Sequence, residues 1–337
     1  MHKIVDNIYR YKVEMMGLAI LTLMVFHSSI PSFYGLKNLL EFGVDIFLFL
    51  SGFTCTLSYC KIKLNNESCS IYYKKRMWRI LPPYLILYIF IYGIEYLFKD
   101  NWNWTKFFGE LLMWDNLIHN SINMWYIPAL LLMYSIIPIY VYSYKKWQIV
   151  LWLPFIIILF LIGMLFTEQI EILPFRMAWF RLPIFLLGVN TFLLKDKNFH
   201  LNSKSVLLYA IIAVILCWIL ENIHQLELKR LCYIPLVMAI VYFYDRNKLY
   251  KKVFKWVGTF SLENYLIHWY VIKLLYNYTA IPVISTVLSL PYFSLFNAHK
   301  QGLEALYASI MAIPLALIAA YSYHKILNIT IYKQNSK

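Results

Sequence analysis

The sequence predicts an all-α fold: a polytopic membrane bundle of about ten helices, with both termini on the cytoplasmic side. Three observations predict it. Apolar stretches of about 20 residues, the length that crosses a hydrocarbon core of about 30 Å, recur from end to end, and no polar block between them is large enough to fold alone. Hydrophobic residues make up 61% of the chain and charged residues 14%, far from the balance of soluble domains. The basic residues gather in alternate connecting segments, the pattern that orients membrane proteins.

Taken in order, the apolar segments lie near 14–33, 39–59, 81–98, 122–143, 147–166, 174–194, 205–222, 228–244, 256–276 and 303–326, and residues 1–337 read as one membrane domain. Lys3, Arg10 and Lys12 precede a first segment that is too long for a signal-peptide core and has no A-x-A-like cleavage site after it. It is therefore expected to stay as a signal anchor. With the N-terminus inside, 22 of the 31 Lys and Arg residues fall on the cytoplasmic side, eight fall outside and Lys273 lies within a segment. The stretch from Trp104 to Ile118 is too short to cross. Trp104, Phe107, Phe108, Leu111, Leu112 and Ile118 recur at helical spacing opposite Lys106, Glu110 and Asp115, which predicts a helix lying along the outer surface.

A net charge of +14 would suggest nucleic acid in a soluble protein. Here the charge sits in short loops where it sets orientation, so no nucleic-acid partner is expected. The five cysteines show no metal-ligand spacing, which predicts free thiols and no metal site.

The chemistry-bearing residues follow from depth. Counted from Glu14, His27 lies roughly 20 Å into the first span, and Asp45 lies about 9 Å below the outer end of the second. The two are nearly level, at a depth where an unpaired ionisable side chain costs about 2.5–3.5 kcal/mol or more. A carboxylate there can hold one imidazole tautomer and leave the other nitrogen to take a proton from an alcohol. In 258–272, GTFSLENYLIHWYVI, His268 lies roughly 18 Å above the inner face, close to the same level, with Glu263 and Asn264 a turn below it.

On the cytoplasmic side, YYKKRMWRILPPYL at 72–85 gathers Lys74, Lys75, Arg76 and Arg79 in a loop ahead of Pro82 and Pro83, which restrict the start of the third helix. Such a cluster can hold phosphate oxygens, or it can anchor the chain to anionic headgroups. On the outer side, Trp125 and Tyr126 open the fourth span beside Asn123 and Pro128, where aromatic faces can stack on sugar rings or sit in the interfacial belt.

Together the motifs resemble the acyltransferase-3 family of polytopic membrane O-acyltransferases. The matching pieces are GLAI with His27 ten residues after Gly17, GVDIFLFLSGF at 43–53, KRMWRILPPY at 75–84, MWYIPALLLMY at 124–134, RLPIFLLGV at 181–189 and GTFSLENYLIH at 258–268. The resemblance implies that His27 is the essential histidine of the first span and that Arg76 and Arg79 are the basic motif before the third. It also implies ten helices and transfer of an acyl group, usually from an acyl-coenzyme A, to sugars of surface glycans. The family carries arginine immediately before the first-span glycine; here Met16 stands there.

The expected activity is O-acetylation of a cell-surface polysaccharide or its lipid-linked precursor in the cell membrane, the bacterial inner membrane being the expected one. Acetyl-coenzyme A is the expected donor substrate, with no tightly bound cofactor. His27 and Asp45 form the expected catalytic pair, with Lys75, Arg76 and Arg79 on the donor phosphates. Trp125, Tyr126, Arg181, Glu263 and His268 are the expected substrate contacts. The sequence features also fit a proton-coupled transporter or flippase, in which His27 and Asp45 would relay protons, or a non-catalytic scaffold in glycan assembly.

Overall fold

The computed structural model describes residues 2–28, 39–97, 104–115, 124–147, 173–196, 202–222, 226–246, 251–278 and 300–332. Among these residues the fold is all-α. The fifth expected segment, 147–166, lies outside the described residues apart from its first. Among the described residues, three helices are long and apolar enough to cross a membrane: Phe42–Leu64, Tyr126–Lys146 and Ser203–Asn222.

The helices are α1 (His2–His27), α2 (Phe42–Leu64), α3 (Cys69–Leu97), α4 (Trp104–Leu111), α5 (Tyr126–Trp147), α6 (Leu173–Trp179), α7 (Leu182–Leu193), α8 (Ser203–Asn222), α9 (Leu226–Phe243), α10 (Lys251–Thr259), α11 (Ser261–Tyr278) and α12 (Lys300–Leu327). Several differ from the apolar segments in instructive ways. The first helix begins at His2, well ahead of the apolar run, and leaves helical geometry at Tyr11 (φ −128°, ψ 15°). The basic stretch 72–79, expected in a loop, is helical: α3 starts at Cys69 and carries Pro82 and Pro83 in its interior. Prolines of this kind are tolerated in membrane helices because neighbouring groups satisfy the backbone left by the missing N–H donors. Asn66 takes a left-handed φ of 56°, which asparagine tolerates, and turns the chain from α2 into α3.

The segment 174–194 is two helices. Pro183 lacks the N–H that would bond the Trp179 carbonyl in a continuous helix, so α6 ends at Trp179 and α7 restarts with Arg181 at its N-cap. The ninth segment also divides, at Phe260, into α10 and α11.

α4 has eight residues, about 12 Å of helix, too short to cross. Its buried face is not the one expected. Phe107, Glu110 and Asp115 are buried, whereas Trp104, Phe108 and Leu112 are exposed. The reason lies in α3: the Tyr84 hydroxyl donates to the Glu110 carbonyl oxygen at 2.6 Å, and the Tyr88 hydroxyl donates to Glu110 Oε2 at 2.7 Å. A carboxylate that accepts from a buried tyrosine turns inward, and Trp104, Phe108 and Leu112 turn outward.

The chain forms two compact units, each assembled from separated stretches of sequence: Met1–Lys12 with Asp45–Lys248, and Val13–Val44 with Leu249–Lys337. In the first, α2 and α7 touch backbone to backbone. A Cβ added at Gly52 would run into the Phe185 carbonyl, and one at Gly188 into the Phe49 carbonyl. Around this contact Phe53 packs edge-on against both Tyr9 and Phe192. The side chain of Asn7 donates to the carbonyl oxygens of Val241 and Tyr242 at 2.8 and 3.0 Å, tying the N-terminal turns to the end of α9. α8 exposes Leu207, Leu208, Ile211, Ile215 and Trp218, the surface expected of a helix solvated by lipid chains.

The second unit repeats the device. A Cβ at Gly17 would meet the Phe254 carbonyl, and one at Gly258 the Val13 carbonyl, so α1 and α10 approach as closely as small residues allow. Phe260, Trp256 and Tyr321 pack edge-on or tilted against one another beside this contact, bringing α12 alongside.

Candidate active site

In the second unit, His27 and His268 meet. His27 closes α1 and His268 lies midway along α11; the His27 Nδ1 and His268 Nε2 atoms are 2.8 Å apart, and the two imidazoles are nearly parallel, at 5°. His268 is 1% exposed. Its Nδ1 faces the carbonyl oxygens of Asn264 and Tyr265, at 3.0 and 2.9 Å.

These distances determine the tautomers. A carbonyl oxygen only accepts, so His268 Nδ1 carries the proton and, in the neutral ring, its Nε2 is an acceptor. His27 Nδ1 must then donate to it. That leaves Nε2 as the acceptor nitrogen of His27, the form a general base needs. The group facing His27 Nδ1 is thus a second imidazole, anchored in turn by backbone.

The surroundings hold both rings. The Trp269 ring stands at 68° to His27 with centroids 5.1 Å apart, and Phe26 lies 5.1 Å away on another side. Asn264, one turn before His268 and fully buried, donates from Nδ2 to Met24 Sδ at 3.2 Å. Below it, Glu263 is fully buried, and its Oε1 lies 2.9 Å from His324 Nδ1 on α12. His324 is not among the site residues expected from the sequence, although a histidine at the end of the last apolar segment carries the same signal as His27.

In the first unit, Asp45 and Arg181 are both 1% exposed, with Arg181 Nε 3.7 Å from Asp45 Oδ1. The Arg181 guanidinium also lies 5.2 Å from the Trp125 ring centroid, and Tyr126, edge-on to Trp125, is buried. Four expected site residues, Asp45, Trp125, Tyr126 and Arg181, thus collect where the starts of α2, α5 and α7 come together. The α6–α7 break places Arg181 there.

Along α3, Lys75 and Arg79 are exposed and Arg76 is half-buried. The Arg76 guanidinium lies over the rings of Tyr72 and Tyr134, 5.8 and 5.9 Å from their centroids. Its Nε is buried with no hydrogen-bond partner among the described residues. Because the stretch is helical, Arg76 and Arg79 are i and i+3, and Lys75 and Arg79 are i and i+4.

A family model described as an acyltransferase domain, the acyltransferase-3 model, matches residues 15–324. No curated protein and no solved structure matches the chain. The matched stretch takes in both units, the His27–His268 pair, the Asp45–Arg181 pair and the basic face of α3, and the chain belongs to the acyltransferase-3 family of membrane acyltransferases.

Proposed function

We propose that this acyltransferase moves an acetyl group from acetyl-coenzyme A to a hydroxyl of a cell-surface polysaccharide or its lipid-linked precursor. The observation that carries the reading is the His27–His268 pair with its backbone anchor, which leaves His27 Nε2 able to take the hydroxyl proton. As the proton leaves, the acceptor oxygen bonds to the thioester carbonyl carbon. The C–S bond then breaks, and the thiolate recovers the proton from His27. Transfer through an acyl group carried on the same nitrogen uses the same geometry.

In this reading Lys75, Arg76 and Arg79 hold the donor's phosphates, with the buried Arg76 Nε, which has no hydrogen-bond partner among the described residues, as the strongest support. The buried cluster of Asp45, Arg181, Trp125 and Tyr126 serves the acceptor side, where a ring face and polar groups suit a sugar. Glu263, paired with His324, supports the base of α11. The domain is read as one bundle of ten spans with both termini in the cytoplasm of a bacterium and the protein in its inner membrane.

The test is release of coenzyme A thiol by purified protein given acetyl-coenzyme A and a glycan extract. Wild type is expected to release thiol and transfer acetyl to glycan. His27→Ala, eluting as folded protein, is expected to fall to background, a loss of about 10²–10⁴-fold. Undiminished release from the variant would rule His27 out.

A further inference from the structure

In the first unit a cavity of about 470 Å³ opens among the N-terminal turns of α1 and the C-terminal ends of α2, α5 and α7. Its lining includes four lysines, Lys61, Lys63, Lys145 and Lys195, together with Tyr9 and Tyr144. No Asp or Glu is among its described lining residues, although Asp196 adjoins Lys195 in sequence. Lys195 is half-buried, with its ammonium 4.8 Å from the centroid of Phe192, a further lining ring.

Lysines in the last turn of a helix ordinarily answer the partial negative charge of its terminus. That accounts for only part of this group. Each terminus carries roughly half an elementary charge, and three termini meet here, so four ammonium groups exceed what the helices ask for by more than two charges. A volume of this size is in the range of about 300–1,000 Å³ typical of small-molecule sites. Its aromatic walls offer flat faces for a ring. Excess positive charge within a concave wall is matched by a ligand bearing clustered negative charge.

We propose that this cavity binds phosphate esters, the chemistry shared by a nucleotide and an anionic lipid headgroup. It is a site separate from the basic face of α3, and its assignment stands on the cavity, whatever the acyl donor is.

The experiment uses the full chain purified in neutral detergent, with adenosine 3′,5′-bisphosphate as a soluble probe in calorimetry and phosphatidylglycerol as a lipid probe in native mass spectrometry. Lys61→Gln/Lys195→Gln and Lys195→Arg are compared with wild type. Removing a charge-assisted contact to phosphate weakens binding by about tenfold or more per lysine, so the double variant is expected to lose about 100-fold, while Lys195→Arg retains binding. Binding by wild type is also expected to weaken as salt rises. Lysine-dependent binding of the bisphosphate assigns the site to a soluble phosphate ester; lysine-dependent retention of phosphatidylglycerol alone assigns it to lipid. If neither probe responds to the substitutions in protein that elutes as wild type, the proposal is overturned. Bisphosphate binding that persists in protein unable to release thiol from acetyl-coenzyme A would count against the donor reading and leave the cavity assignment intact.

Discussion

His268 has one nitrogen against two carbonyl oxygens and the other against His27, so in the proposed reaction its part is positional: it fixes which nitrogen of His27 carries a proton. His268→Phe removes the acceptor and is expected to lower kcat about 10- to 100-fold with little change in KM. His268→Gln, whose amide oxygen can still accept from His27 Nδ1, is expected to recover part of that loss. Steady-state kinetics on the two variants check this, and equal losses would mean that the ring only packs. The Asp45–Arg181 pair makes a different prediction, because both groups are buried. Breaking such a pair from one side leaves an uncompensated charge and costs about 3–5 kcal/mol, whereas replacing both members with well-packed apolar residues is often neutral. Arg181→Met alone is therefore expected to lower the thermal midpoint in detergent, with Asp45→Leu/Arg181→Met closer to wild type. Three of these residues, His27, Asp45 and His268, were legible in the sequence from charge at depth. Their pairing was not, because depth gives a level along the membrane normal and no azimuth around each helix.

The glycines decide how the helices meet. Gly52 with Gly188, and Gly17 with Gly258, hold two helix pairs so close that a Cβ at any of the four would strike backbone carbonyl. Backbone cannot swing aside as a side chain can. Gly52→Leu and Gly188→Leu are thus expected to abolish accumulation of folded protein, measured as the monodisperse fraction on size exclusion. Gly93→Ala is the contrasting case: among the described residues nothing lies within 4 Å of its Cβ position, so it is expected to be neutral or to stabilise by about 0.5–1 kcal/mol through helix propensity. All four contact glycines stand inside the sequence motifs that carry the family resemblance, where their packing role was invisible. Element boundaries were legible where an apolar run coincided with a helix and obscure where polar turns extended one, as in α3. The break before α7 had a local signal in Pro183, whose missing donor ends the preceding helix.

At the scale of the molecule, the basic-residue count makes a prediction about sidedness. Lys146 and Asp196 are exposed near the ends of α5 and α7, and Trp104 is exposed on α4. In a background lacking the native cysteines, Lys146→Cys and Asp196→Cys are expected to react with an impermeant maleimide only from the cytoplasmic side, and Trp104→Cys only from the other. The reverse pattern would overturn the orientation. The family match decides against reading His27 and Asp45 as a transporter's proton relay, because the family is one of acyltransferases. Composition and the spacing of apolar runs sufficed for an all-α membrane protein, since hydrocarbon admits a helix only where a long enough run of apolar side chains covers its backbone. The local motifs sufficed for the family. Tertiary structure alone decided that a backbone-anchored histidine holds His27, that Asp45 pairs with Arg181, that Glu110 turns inward, and that lysines from three helix ends share one cavity. Each of those facts depends on which helix faces are turned toward one another, and that is settled by contacts between residues far apart in the chain.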